Sequence, residues 1–124
     1  DWQGKFRWMS NNARLLVINP LEVPIRTNFV FKCLSFKKKR KLDILLNYKT
    51  KMSIEIPSDK EKKQFKKFVV RNIVLEPGKN EIIFYTPEGT ARLKQKQDGG
   101  EQAKEVSVKF KSFKFETARK INLS

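Results

Sequence analysis

Histidine is absent from the 124-residue chain. That removes the usual general base, the Ser-His and Cys-His nucleophile systems and most zinc sites. The only cysteine, Cys33, excludes an intrachain disulfide, and in its apolar surroundings it reads as a small buried hydrophobe. No window reaches the ~18 consecutive apolar residues that a membrane-spanning helix needs, and no signal-peptide arrangement opens the chain. The five glycines form neither a phosphate-cradling loop nor a dinucleotide fingerprint. Negative charge is also scarce, with 13 Asp and Glu against 28 Lys and Arg and a formal charge of +15.

A charge of that sign attracts polyanions: nucleic acid, anionic headgroups or acidic glycans. Lysine supplies most of it, by 21 to seven over arginine. Bidentate recognition of phosphates or guanine edges favours arginine, so the excess speaks less for base reading than its size suggests. The ten phenylalanines supply large, rigid core volume, and the length is that of one domain. Residues 1–124 are therefore expected to form a single domain. A chain that opens at Asp1, with Trp2 and Trp8 close behind, reads as a segment excised from a longer protein.

Period-two alternation and turn residues divide the chain into strands. Lys5–Ser10 and Ala13–Asn19 are two strands joined at Asn11-Asn12, and Pro20 and Pro24 bracket a loop. Thr27–Phe36 is apolar on both faces, as a central strand is. Lys37–Lys41 is expected to be a solvated connection, because burial of an unpaired cation is prohibitive. Leu42–Leu46 and Met52–Ile56 alternate on either side of a turn at Asn47, which predicts a hairpin. Ser58–Lys67 has almost no apolar face and is read as a charged loop with at most one helical turn capped by Ser58.

Phe68–Leu75 is a strand with a change of phase at Arg71-Asn72 that a bulge explains. Glu76-Pro77-Gly78-Lys79 has the residues of a type II turn, and Asn80–Thr86 returns as a strand. Ala91–Lys104 is predicted to be a long polar loop. Glu105–Phe115 is the last strand, with Val106, Val108 and Phe110 inward, Ser107, Lys109 and Lys111 outward, and a bulge near Ser112. These elements predict an all-β fold, an antiparallel β-sandwich or jelly roll of about eight strands.

No catalytic residue is assigned. Asp43, Glu55, Glu76, Glu81 and Glu88 could in principle supply a glycosidase pair, but most alternate with apolar neighbours and belong to a solvated face. Asp98-Gly99-Gly100-Glu101 offers too few oxygen ligands for calcium. Neither a metal nor a cofactor is expected.

Two sets of side chains are candidates for binding. Trp2, Arg7, Trp8 and Tyr85 would form an aromatic platform with a cation beside it, on which a sugar or a base stacks. Lys37, Lys38, Lys39, Arg40 and Lys41, then Lys60, Lys62, Lys63, Lys66 and Lys67, then Arg92, Lys94 and Lys96 are three basic segments. If these meet at one end of the sandwich they make a surface for a polyanion or headgroups.

The opening Asp1-Trp2-Gln3-Gly4-Lys5-Phe6-Arg7-Trp8-Met9-Ser10-Asn11-Asn12-Ala13, followed by the apolar run Leu15–Asn19, resembles the start of extracytoplasmic β-sandwich domains in archaeal and bacterial multi-span, glycosyltransferase-like membrane proteins. Leu42–Asn47 and Leu75–Ile82, with its Pro-Gly-x-Asn turn, resemble carbohydrate-binding-type jelly rolls. Asn47-Tyr48 departs from the Asn-Gly typical of such hairpins. The resemblance implies a non-catalytic accessory domain on the outer face of the membrane. Its partners would be a glycan or lipid-linked sugar, the anionic membrane surface and the missing membrane portion of the same protein. A basic, cytoplasmic β domain that binds nucleic acid or another anionic polymer is the alternative.

Overall fold

The computed structural model describes residues 7–97 and 100–117. Ten strands follow in chain order: β1 (Arg7–Met9), β2 (Asn12–Asn19), β3 (Ile25–Ser35), β4 (Arg40–Leu46), β5 (Lys49–Ile56), β6 (Lys66–Leu75), β7 (Gly78–Tyr85), β8 (Ala91–Gln97), β9 (Gly100–Val106) and β10 (Val108–Thr117). Eight of them form two four-stranded antiparallel sheets, ordered β1-β10-β3-β6 and β2-β7-β4-β5. The fold is the expected β-sandwich of jelly-roll type.

Phenylalanines join the layers. Phe29, Phe31, Phe110 and Phe113 come from the first sheet and meet Phe84 of the second. Phe84 and Phe110 lie 4.9 Å apart, and Phe31 meets Phe84 edge-on at 5.6 Å. Leu42, Ile44 and Leu46 of β4 fill the facing layer. Cys33 is fully buried among them, and burial pushes its thiol far above its usual pKa, so it is an inert core residue.

The turns follow local chemistry. Asn47 and Tyr48 join β4 to β5 with φ of 49° and 68°, the left-handed pair of a type I′ hairpin turn. Gly78 takes φ of 88°, as the predicted type II turn demands. The bulge predicted at Arg71-Asn72 is present: both residues stand opposite Asn28, whose Oδ1 accepts the Asn72 amide at 2.9 Å. That near Ser112 is present too, with Lys111 as the extra residue between Phe110 and Ser112. Ser58 caps one helical turn, its hydroxyl accepting from the Lys60 amide and its carbonyl from Glu61 and Lys62.

Four expectations are corrected. Residues 91–97 and 100–104 do not form a loop but fall in the β8–β9 ribbon, whose pairing runs from Ala91–Val106 to Gln97–Gly100. Polar residues fill most of its positions, so its sequence has no apolar period to announce it. The Asp98-Gly99 connection, with the carboxylate weighed for calcium, lies outside the described residues. The last predicted strand divides at Ser107, which is buried and not outward. Its amide donates to the Met9 carbonyl at 2.8 Å, its own carbonyl accepts from Phe36, and its hydroxyl contacts the Ser10 carbonyl.

Lys66 and Lys67 belong to β6, paired with Cys33 and Lys32, and not to the preceding loop. Finally, Arg40 is not solvated; it is 1% exposed. It opens β4 on the same inward phase as Leu42, Ile44 and Leu46, where the strand carries it beneath the loops.

Candidate ligand-binding surface

Loops gather at one end of the sandwich around the connection Phe36–Lys39. The Ser35 amide donates to the Pro57 carbonyl at 2.9 Å, the Asp59 amide to the Ser35 carbonyl at 2.8 Å, and the Lys37 amide to Asp59 Oδ1 at 3.0 Å. These bonds fix the loop 57–65 against the end of β3. On the other side the Lys41 amide donates to Glu88 Oε1 at 3.0 Å, which ties in the turn between β7 and β8.

Arg40 is the hub of this end. Nε donates to the Gly89 carbonyl at 2.9 Å, while Nη1 lies within reach of Ser35 Oγ at 2.9 Å and the carbonyls of Phe36 and Ser107 at 2.5 and 3.1 Å. Guanidinium carries its donors in a fixed fork, so through Nε and Nη1 one side chain reaches three carbonyls and a hydroxyl from three separate segments. Burial lowers its pKa, and the nearby Glu88 and Asp59 carboxylates offset part of that effect.

The remaining basic side chains stay outside. Lys37, Lys38, Lys39, Lys41, Lys60, Lys62, Lys63, Lys66, Lys67 and Arg92 are exposed. Lys37 and Arg92 share an open cleft of about 440 Å³ with Phe36 and Leu93, so the first and third basic segments do meet. The second adjoins the first through Ser35 and Ser58, which form an isolated bridge. Lys94 and Lys96 continue along β8, with backbone pairing to Ala103 and Glu101.

The aromatic set divides. Trp2 lies outside the described residues. Arg7 and Trp8 line one cleft of about 240 Å³ that opens between the sheets beside β1 and β2, floored by Met9, Phe84 and Phe110. Tyr85 is not with them. It follows the inward Phe84 on β7 and pairs with Asn12 and Asp43, so it projects from the outer face of the opposite sheet.

Trp8 has acquired other company. Its ring meets Phe36 edge-on at 5.2 Å, and Lys109 Nζ lies 5.3 Å from its centroid. The same Lys109 is 5.7 Å from the Phe65 ring and 3.4 Å from Asp59, in a pair whose side chains are only 18% and 19% exposed. Lys111 also approaches Phe65, at 5.7 Å. Lys32, Lys63, Gln64, Phe65 and Lys111 then line a cleft of about 390 Å³.

Lys32, Phe65, Lys109 and Lys111 were not among the candidates from the sequence. Phe65 carried a signal: it is the one apolar side chain between Ser58 and Lys67. A lone aromatic in a charged loop needs a surface to cover or a ligand to meet.

The carboxylates disperse. Glu81 pairs with Arg14 at 2.8 Å, Asp43 accepts from Ser53 at 2.5 Å, Glu55 lies 3.8 Å from Lys39, and Glu88 caps Lys41. Among the described residues no three metal-ligating side chains cluster, and no helix is long and apolar enough to cross a membrane.

No protein-family model matches the chain, and no curated protein is similar to it in sequence. Its fold is found in solved structures. A ruminal GH26 endo-beta-1,4-mannanase matches 92% of the chain with a TM-score of 0.56 at 17% identity. The GH26-CBM35 beta-(1,4)-mannanase of Podospora anserina matches 90% with a TM-score of 0.53 at 10% identity. The chain spans 19% and 21% of the length of these two proteins. The chain thus has the β-sandwich fold found within two mannanases several times its size.

Proposed function

We propose that this chain is a non-catalytic, glycan-binding accessory module of a larger extracytoplasmic protein, and that its ligand lies on the surface bounded by Trp8, Phe36 and Phe65. The observation that carries this reading is the sandwich fold shared with a module-sized portion of carbohydrate-degrading enzymes. The absence of histidine and the dispersed carboxylates agree with a module that binds and does not cleave. Aromatic rings flanked by polar and cationic side chains are what sugar rings, apolar on their C–H faces and polar at their edges, require.

A glycosyltransferase-like membrane parent is supported by the motif Asp1–Ala13. The likeness to mannanases supports a secreted hydrolase parent instead. Both place an appended sandwich beside a glycan. The test is affinity electrophoresis of the chain through gels containing β-1,4-mannan, dextran, polygalacturonate and dextran sulfate in turn. Retardation by at least one polysaccharide, with no release of reducing ends from any, is the expected result. Passage through every gel unretarded would remove the reading, and Trp8→Ala should restore free migration where retardation is seen.

A further inference from the structure

On the outer face of the β1-β10-β3-β6 sheet, the cleft of Lys32, Lys63, Phe65 and Lys111 collects cations from three elements. Lys32 projects from the central strand β3. Lys63 comes from the loop held by Asp59. Lys111 is the extra residue of the β10 bulge, opposite no residue of β3, and a bulge of this kind re-aims a side chain away from the ladder.

Charge is left over here. Lys109 has Asp59 and Lys114 has Glu116, at 3.4 and 3.1 Å. Among the described residues, no carboxylate lies within ion-pair distance of Lys32, Lys63 or Lys111. Three like charges around one concavity repel one another, and an anion between them relieves the repulsion. Phe65 supports the arrangement, since its ring lies against both Lys109 and Lys111 and holds their ammonium groups by cation–π attraction.

We infer that this lysine cleft takes the anionic group, carboxylate or sulfate, of an acidic glycan. The inference rests on the glycan-binding reading above: the fold argues for a sugar, and the lysines argue for its charge. Lysine ammoniums are point charges without the bidentate fork that reads phosphate planes, and the cleft has the size of a small-ligand site, not of a track for a polymer backbone.

The experiment compares polygalacturonate with its fully methyl-esterified form, and dextran sulfate with dextran, at about 0.15 M salt where distant charges are screened. The full chain should bind at least one anionic polymer roughly tenfold more tightly than its neutral counterpart. The triple variant Lys32→Gln, Lys63→Gln, Lys111→Gln should lose that preference. A charge-matched control, Lys49→Gln, Lys51→Gln, Lys79→Gln, on the other sheet, should keep it within about twofold if the site and not net charge is responsible. Unfolding midpoints of both variants establish that they are folded.

Equal losses in the two variants would overturn the inference in favour of a diffuse polyelectrolyte effect. Equal binding of charged and neutral polymers would overturn it while leaving the glycan reading in place, and no binding to any polysaccharide would overturn both. A lysine-dependent preference for a single-stranded oligonucleotide or for phosphatidylglycerol vesicles over both acidic polymers would assign the cleft to phosphate.

Discussion

Arg40 donates from Nε to the carbonyl of Gly89, 49 residues further along the chain, at 2.9 Å. The bond closes the end of the sandwich, because the same guanidinium holds Ser35, Phe36 and Ser107. Arg40→Met would remove the donor to the Gly89 carbonyl and to the Ser35 hydroxyl, and would strip a second donor from the carbonyls of Phe36 and Ser107. We expect it to cost about 2–3 kcal/mol, read from urea unfolding. Arg40→Lys, with one ammonium in place of the fork, should recover part of the loss; a variant as stable as the parent would refute the hub.

Alkaline stability should depend on Cys33. The buried thiol stays protonated in the folded state while the unfolded thiol ionises near its ordinary value of 9.0, so the folded state binds more protons above that pH. Stability contributed by the neutral thiol is intact below pH 9.0 and falls as pH rises beyond it. Cys33→Ala should be about 1 kcal/mol less stable than the parent at neutral pH. That gap should close by about 1.4 kcal/mol per pH unit above the thiol's ordinary range. Denaturant melts at stepped pH measure it, and a gap that stays constant would show that the thiol is not sealed.

Tyr48 occupies a left-handed position, with φ of 68°, at the tip of the β4–β5 hairpin, and its side chain is 68% exposed. A side chain with a β-carbon is strained there by about 1–2 kcal/mol, and glycine is not. Tyr48→Gly should therefore raise the unfolding midpoint, offset in part by loss of the contact in which the Glu81 carboxylate pushes the phenol pKa upward. A lowered midpoint would mean that the Glu81 contact outweighs the strain.

Asn80, 1% exposed, locks two turns together. Its Oδ1 accepts from Asn47 Nδ2 at 3.0 Å and from the Glu76 amide at 2.9 Å, and its Nδ2 donates to the carbonyls of Glu76 and Gly78 at 2.8 and 3.1 Å. Asn80→Ala should destabilise by about 2–3 kcal/mol through stranded buried polar groups. Asn80→Asp should also fail to rescue, because a carboxylate cannot donate to the two carbonyls. Chemical denaturation of both variants decides, and full rescue by Asp would disprove the donor role.

The sandwich was legible because each of its strands covers core. Alternation in β4, β5 and β7 and the dense apolar run of β3 are direct records of one or two buried faces. Both bulges were legible as phase changes. Arg40 was misread because four lysines surround it, although it is the one arginine in that run and stands two residues before Leu42 in the inward phase. The β8–β9 ribbon was illegible for the opposite reason, since polar residues occupy most of both strands and leave no apolar period to read.

The site was less legible than the fold. Lys37 and Arg92 were expected to be exposed, but only the pairing of the sheets reveals that they border one cleft. Lys63 stood out as part of a basic run, but Lys32 and Lys111 are unremarkable in sequence, and the three come together because β3, the 57–65 loop and a bulge in β10 meet on one face. Trp8 and Tyr85, grouped as aromatics, are separated by the two layers.

The β8–β9 ribbon leaves the sandwich after Gly89 and returns at Ser107, and both departure points are gripped by Arg40. Its length is thereby uncoupled from the packing of the eight core strands. Shortening or extending it by pairs of residues keeps its register and leaves the layers untouched. A lineage of such domains would find here a place to vary reach and charge beside Lys37 and Arg92 without renegotiating the fold.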